Sequence, residues 1–143
     1  MRRLRERRGD RGSTAVFVVV FSLALFLLAG LLVDGGAAMN ARLRAGDIAE
    51  QGARAAADTI DEDELRASGR IRIRDAAAAC GRARRVVTAH AEAKARMTAC
   101  SVRGGNRAEV GVEIKWNAIL LSIIGITEGT MSAEVSAGPE TGR

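Results

Sequence analysis

The polarity of the chain changes abruptly near its N-terminus. Residues 1–11 are dense in Arg, and from Gly12 to Val33 there follow 22 residues without one charge. As a helix the stretch 14–33 reaches about 30 Å, the thickness of a bilayer's hydrocarbon core, and so predicts a transmembrane helix. A cleaved secretory signal is the competing reading, because a basic arm, an apolar run and the small residues Gly35, Gly36, Ala37 and Ala38 occur in that order. The apolar run exceeds the roughly 7–15 residues of ordinary signal cores, which favours retention. Asp34 reads as the point where the helix meets water. Over 34–60 the pattern turns helical and amphipathic, with Met39, Leu43, Gly46, Ala53, Ala57 and Ile60 set against Arg42, Arg44, Asp47, Glu50, Arg54 and Asp58. This predicts a helix continuing out of the bilayer. Small residues, Gly46 and Ala53 among them, permit close approach of a neighbouring helix. Two readings stay open: a stalk that packs on other single-span subunits, or a helix folded onto the chain's own globular domain.

The acidic run Asp61–Glu64 ends that helix and leads into a turn; it lacks the alternating ligands and central Gly of a calcium loop. Ile71 and Ile73 alternate with Arg70, Arg72 and Arg74 as a short strand. Asp75 is a candidate N-cap for a helix over 76–96, with Ala76, Ala79, Cys80, Ala83, Val86, Val87 and Ala91 on its apolar side. Then come a strand at 97–102, a Gly-Gly hairpin loop at 103–107, and strict alternation over 109–116 that puts Val110, Val112, Ile114 and Trp116 on one face. The apolar patch 118–126 is too short to span a bilayer and is either a core-filling connection or an exposed contact surface. A last alternating strand covers 130–137. The fold class is α+β: a transmembrane helix continuing into an Ala-rich helix, then a small extracytoplasmic antiparallel sheet with one packed helix. The divisions are a basic arm at 1–13, the membrane helix at 14–33, a juxtamembrane stalk at 34–60, the α+β domain at 61–138 and a tail at 139–143.

Composition narrows the function. With 143 residues, 48% of them apolar but 3% aromatic, the chain has all three Phe (Phe17, Phe21, Phe26) in the apolar run and a single ring, Trp116, beyond it. A core built on Ala, Val, Ile and Leu around one ring excludes a large, deep-pocketed enzyme. Of the net charge of +5, residues 1–11 supply +4 through Arg2, Arg3, Arg5, Arg7, Arg8 and Arg11 against Glu6 and Asp10. That distribution argues against a nucleic-acid partner and, by the positive-inside rule, makes these arginines the topology determinants. They place the N-terminus in the cytoplasm and residues 34–143 outside the cell membrane. Cys80 and Cys100, both on the outer side, read as one disulfide, with two buried free thiols as the alternative. The lone His90 has no partner cluster, and neither a catalytic constellation nor a metal or cofactor site is expected.

Arg11-Gly12-Ser13-Thr14-Ala15-Val16-Phe17, the long run closing on Val33-Asp34-Gly35-Gly36, and the Ala-rich helix with Ala49, Ala53 and Ala55-Ala56-Ala57-Asp58 resemble the N-terminal region of TadE/TadG-like proteins of the tight-adherence (Flp) pilus system. The downstream order is similar to the short actinobacterial versions. The resemblance implies a membrane-anchored pilin-like or accessory subunit with a structural or assembly role, no enzymatic activity, and pilus or secretion assembly proteins as partners. Homo- or hetero-oligomers through the N-terminal helices are implied as well. Family members cut by a prepilin peptidase carry Gly and, five positions on, Glu; here Phe17 follows Gly12 at that spacing, which implies an uncleaved, TadG-like subunit. A single-span extracytoplasmic binding or sensor module is the alternative from a different functional class.

Overall fold

The computed structural model describes residues 11–139. Helix α1 runs unbroken over Arg11–Ala57, 47 residues and about 70 Å of length. No proline precedes Pro139, so nothing interrupts its hydrogen-bond ladder. Its two halves differ in surroundings. Residues 14–33 project outward on every side except at Gly30. From Ala38 onward a stripe comprising Ala38, Ala41, Ala45, Ile48, Ala49, Ala53, Ala56 and Ala57 is buried, recurring at the three- and four-residue steps of one helix face.

That stripe packs on the rest of the same chain. Asp61 caps helix α2 (Glu62–Ser68), accepting from the N–H groups of Asp63 and Glu64, and the acidic first turn suits the positive end of the helix dipole. Asp75 caps helix α3 (Ala76–Ala89) in the same way through Ala77 and Ala78. Three antiparallel strands follow, β1 (Ala95–Arg103), β2 (Arg107–Asn117) and β3 (Glu128–Ala137), in spatial order β1-β2-β3. The β1–β2 turn needs left-handed backbone at Gly104 and Gly105, with φ of 61° and 73°, which glycine supplies without steric cost. Gly105 also accepts the Ile73 N–H at 2.7 Å, tying the α2–α3 connection to the hairpin.

The core lies between one face of the sheet and the two helices α1 and α3. Central strand β2 contributes Ala108, Val110, Val112 and Ile114, while α3 contributes Ala79, Ala83 and Val87. Because the helix side chains are mostly methyl groups, the backbones approach closely; a Cβ added at Gly52 would meet Val110 Cγ1 at 3.4 Å and Val87 Cγ2 at 3.5 Å. Trp116 is half-buried at the edge of this cluster. The architecture is therefore α+β, with the 38–57 half of α1 as its spine. Of the two readings left open for that helix, the observed packing is the one onto its own domain.

Several elements differ in detail from the sequence pattern. Helix α3 stops at Ala89 rather than 96, because His90 leaves helical geometry (φ −90°, ψ 37°) and a 3-10 turn at Ala91–Ala93 leads into β1. Ile71 and Ile73 do not form a strand; Ile73 makes a single bridge to Ile60 and is buried. Within 118–126 only Ala118 is buried, and the segment contains a 3-10 turn at Leu121–Ile124.

Candidate membrane-anchoring and assembly surface

Asp34 and the 118–126 segment meet where the two halves of α1 join. Asp34 is fully buried, the one charged residue so placed among the described residues. Its Oδ1 accepts the Ile119 N–H at 2.8 Å and its Oδ2 the Leu121 N–H at 2.6 Å. These bonds, that of Leu121 foremost, hold the carboxyl below the ordinary aspartate range, with burial opposing them and Ile119 and Leu120 assisting. The expectation that Asp34 simply marks the helix entering water is corrected: the side chain turns away from solvent and closes the start of a turn 85 residues away. Next to it, Gly30 leaves room for Leu120, whose Cβ would lie 3.2 Å from a Cβ added at the glycine.

The turn is closed internally as well. Ser122 Oγ donates to the Ile119 carbonyl at 2.6 Å, Ile126 N–H to Leu121 at 3.1 Å, and Ala118 N–H to Thr127 at 2.9 Å. Gly125, at φ 93°, returns its N–H to Ser122 at 3.1 Å. Its outer surface is apolar: Ile119, Ile123, Ile124 and Ile126 are exposed, as are Phe17, Phe21 and Phe26 on α1.

The remaining sequence-derived positions fall elsewhere. Cys80 on α3 and Cys100 on β1 are disulfide-bonded, with Cα atoms 5.8 Å apart, so the bridge staples α3 to the sheet edge. Ala53 is fully buried in the core, and Gly46 is half-exposed, with Ala133 Cβ at 3.9 Å from where its own Cβ would stand. Both positions therefore face β-strands or helices of the same chain. Arg2, Arg3, Arg5, Arg7 and Arg8 lie outside the described residues, and Arg11 opens the first turn of α1. His90 sits 3.3 Å from Gln51 Oε1 at the edge of the α1–α3 contact. Glu64 pairs with Arg70 at 2.7 Å, and the Arg70 hydrogen bond, then that of Ser68, lowers its carboxyl pKa. Among the described residues no group of three or more His, Cys, Asp or Glu is placed to hold a metal ion.

Among the described residues α1 is the one helix long and apolar enough to cross a membrane. A comparison with protein families places its signature on that same helix. Residues 12–59 match the Flp pilus-assembly TadE/G-like family. The TadE/G-like segment covers about a third of the chain and coincides almost entirely with α1, from the first turn through the buried alanine stripe. It includes Asp34 and Gly30 but not the turn they hold. No curated protein and no solved structure matches the chain. The sequence pattern signalled the apolar helix and the cysteine pair, whereas Asp34 carried no such signal, since its partners come from the far end of the chain.

Proposed function

We propose that this chain is a membrane-anchored, non-enzymatic subunit of a tight-adherence (Flp) type pilus or secretion apparatus, with its N-terminus in the cytoplasm and the α+β domain outside the cell. The observation that carries this reading is the TadE/G-like match at 12–59, which falls on a helix whose 14–33 half is apolar and exposed except at Gly30. A single helix surrounded by exposed Phe, Leu and Val is stable only in lipid or against other apolar helices. The basic arm supplies the orientation, and a disulfide between α3 and β1 suits an oxidising outer compartment.

In this reading subunit contacts run through the 14–33 surface, because Ala38, Ala41, Ala45, Ala49, Ala53, Ala56 and Ala57 are buried within the chain. That same self-contained packing favours a second reading, a single-span sensor or binding module that works as a monomer. Affinity purification of the full-length chain from membranes of its own host separates the two. Recovery of the motor and platform proteins of an Flp-type system is the expected result. Recovery of a monomer free of them supports the sensor module instead.

A further inference from the structure

Residues 117–127 contain no charge, yet the turn they form is exposed to an extent unusual for large apolar side chains. Ile123 is 82% exposed, Ile119 67% and Ile124 62%. Isolated apolar residues on a surface need no explanation, but a contiguous patch does. Its position supplies one. Leu120, Ile123 and Ile124 form one wall of a groove whose other wall is Leu23, Leu27 and Gly30 of α1. Gly30 lies about 6 Å and Leu23 about 16 Å along the helix from Asp34, on the side of the apolar run. The turn therefore does not sit above the membrane helix; it hangs beside it, at the depth of residues that the 14–33 span puts in hydrocarbon.

Irregular backbone at such a depth requires its polar groups to be satisfied within the protein. The turn meets much of that requirement. The N–H groups of Ile119 and Leu121 go to Asp34, and those of Ala118, Ile123, Gly125 and Ile126 go to carbonyls of the turn or its base. The Ser122 hydroxyl is also spent on a carbonyl, that of Ile119. A surface turn in water has no need of a buried carboxylate as backbone acceptor, since water would serve the same N–H groups.

We propose that residues 119–126 are a second, shallow membrane anchor: an apolar finger that enters the domain-side leaflet beside the spanning helix and packs against lipid acyl chains, with Asp34 holding its backbone at the interface. The inference rests on the reading that 14–33 crosses the membrane. Two attachment points, the helix and the finger, fix the tilt of the domain against the bilayer, where a helix alone would leave it free to rotate about the helix axis.

The test uses the full-length chain in phosphatidylcholine–phosphatidylglycerol vesicles, with nitroxide labels on single cysteines introduced by Ile123→Cys, Ile124→Cys, Leu25→Cys and Ser132→Cys. The native cysteines are bonded to one another and take no label without reductant. Collision rates with oxygen, which concentrates in lipid, and with a water-soluble nickel chelate are measured at each site. The expected result is an oxygen-to-nickel ratio at Ile123 and Ile124 close to that at Leu25 and several-fold above that at Ser132. Aqueous ratios at both finger positions, with a lipid ratio at Leu25, overturn the finger and leave the span intact. Low collision with both reagents at the finger means burial by another polypeptide, such as a second copy's helix, and also overturns it. An aqueous ratio at Leu25 identifies failure of the span reading itself and takes the finger with it.

Discussion

Asp34 and Leu121 are 87 positions apart in sequence and joined by a 2.6 Å hydrogen bond from backbone N–H to carboxylate. That bond, with its companion from Ile119, fixes the end of the apolar helix half to the connection between β2 and β3. It is the one place where α1 and the β2–β3 connection are held together by hydrogen bonds to a buried charge among the described residues.

Replacing Asp34 by Ala leaves two donors without their acceptor, the situation in which a lost partner is most destabilising. Asp34→Ala is expected to lower the thermal midpoint of the full-length chain in detergent by several degrees, followed by circular dichroism, and Asp34→Asn by less because one oxygen remains. The pH dependence has a definite sign. A carboxyl whose pKa is lower folded than unfolded stabilises the fold above its unfolded value, about 4, and that contribution is lost as pH falls through the lowered folded value. Asp34 and Glu64 both belong to this class. Glu64, paired with an exposed Arg70, adds little. Stability should therefore be level with respect to these groups from pH 5 upward and fall below pH 4, with a shallower fall in Asp34→Asn.

The disulfide closes a loop of 20 residues between α3 and β1. In the chain-entropy account such a bridge stabilises by roughly 3 kcal/mol, a large fraction for a core with one aromatic ring. Reduction, or the double change Cys80→Ser and Cys100→Ser, is expected to shift the urea midpoint downward accordingly without altering the secondary structure of the folded state. A midpoint that does not move means the bridge adds nothing to the fold.

Gly46 and Ala53 make opposite predictions. A methyl at Gly46 meets nothing closer than 3.9 Å, so Gly46→Ala gains helix propensity, up to about 1 kcal/mol. Ala53 is fully buried in the core, and Ala53→Leu overfills it at about 1–3 kcal/mol. Thermal unfolding of the two variants measures both. If the small residues instead packed against other subunits, Ala53→Leu would leave the stability of the isolated chain unchanged.

The residues differ in how far local pattern announces them. Val110, Val112 and Ile114 alternate with Glu109, Gly111, Glu113 and Lys115, and period two is a property of neighbouring positions, so the central strand is legible without knowing its partners. The 14–33 run is legible for the same reason. The destination of the 38–57 helix is not, because an alanine stripe is equally suited to a neighbouring subunit and to the chain's own sheet; only the long-range packing decides. Ile73 looks like a strand residue by alternation with arginines, yet the backbone there makes one bridge, to Ile60. Asp34 is the extreme case. An acid at the end of an apolar run is the ordinary mark of a helix leaving hydrocarbon, and nothing near it in sequence reveals the two N–H groups supplied from residues 119 and 121.

The claim that the α+β domain is carried outside the cell by the 14–33 helix is tested most directly by thiol labelling in intact cells. A membrane-impermeant maleimide is applied to cells making the full-length chain, before and after reduction, and the labelled protein is identified by its mass shift. An outward-facing domain gives no labelling of Cys80 or Cys100 before reduction and labelling of both, without permeabilising the cells, once the bridge is reduced and the domain loosened. Free thiols that react only after the membrane is permeabilised would place the domain in the cytoplasm and overturn the outward orientation.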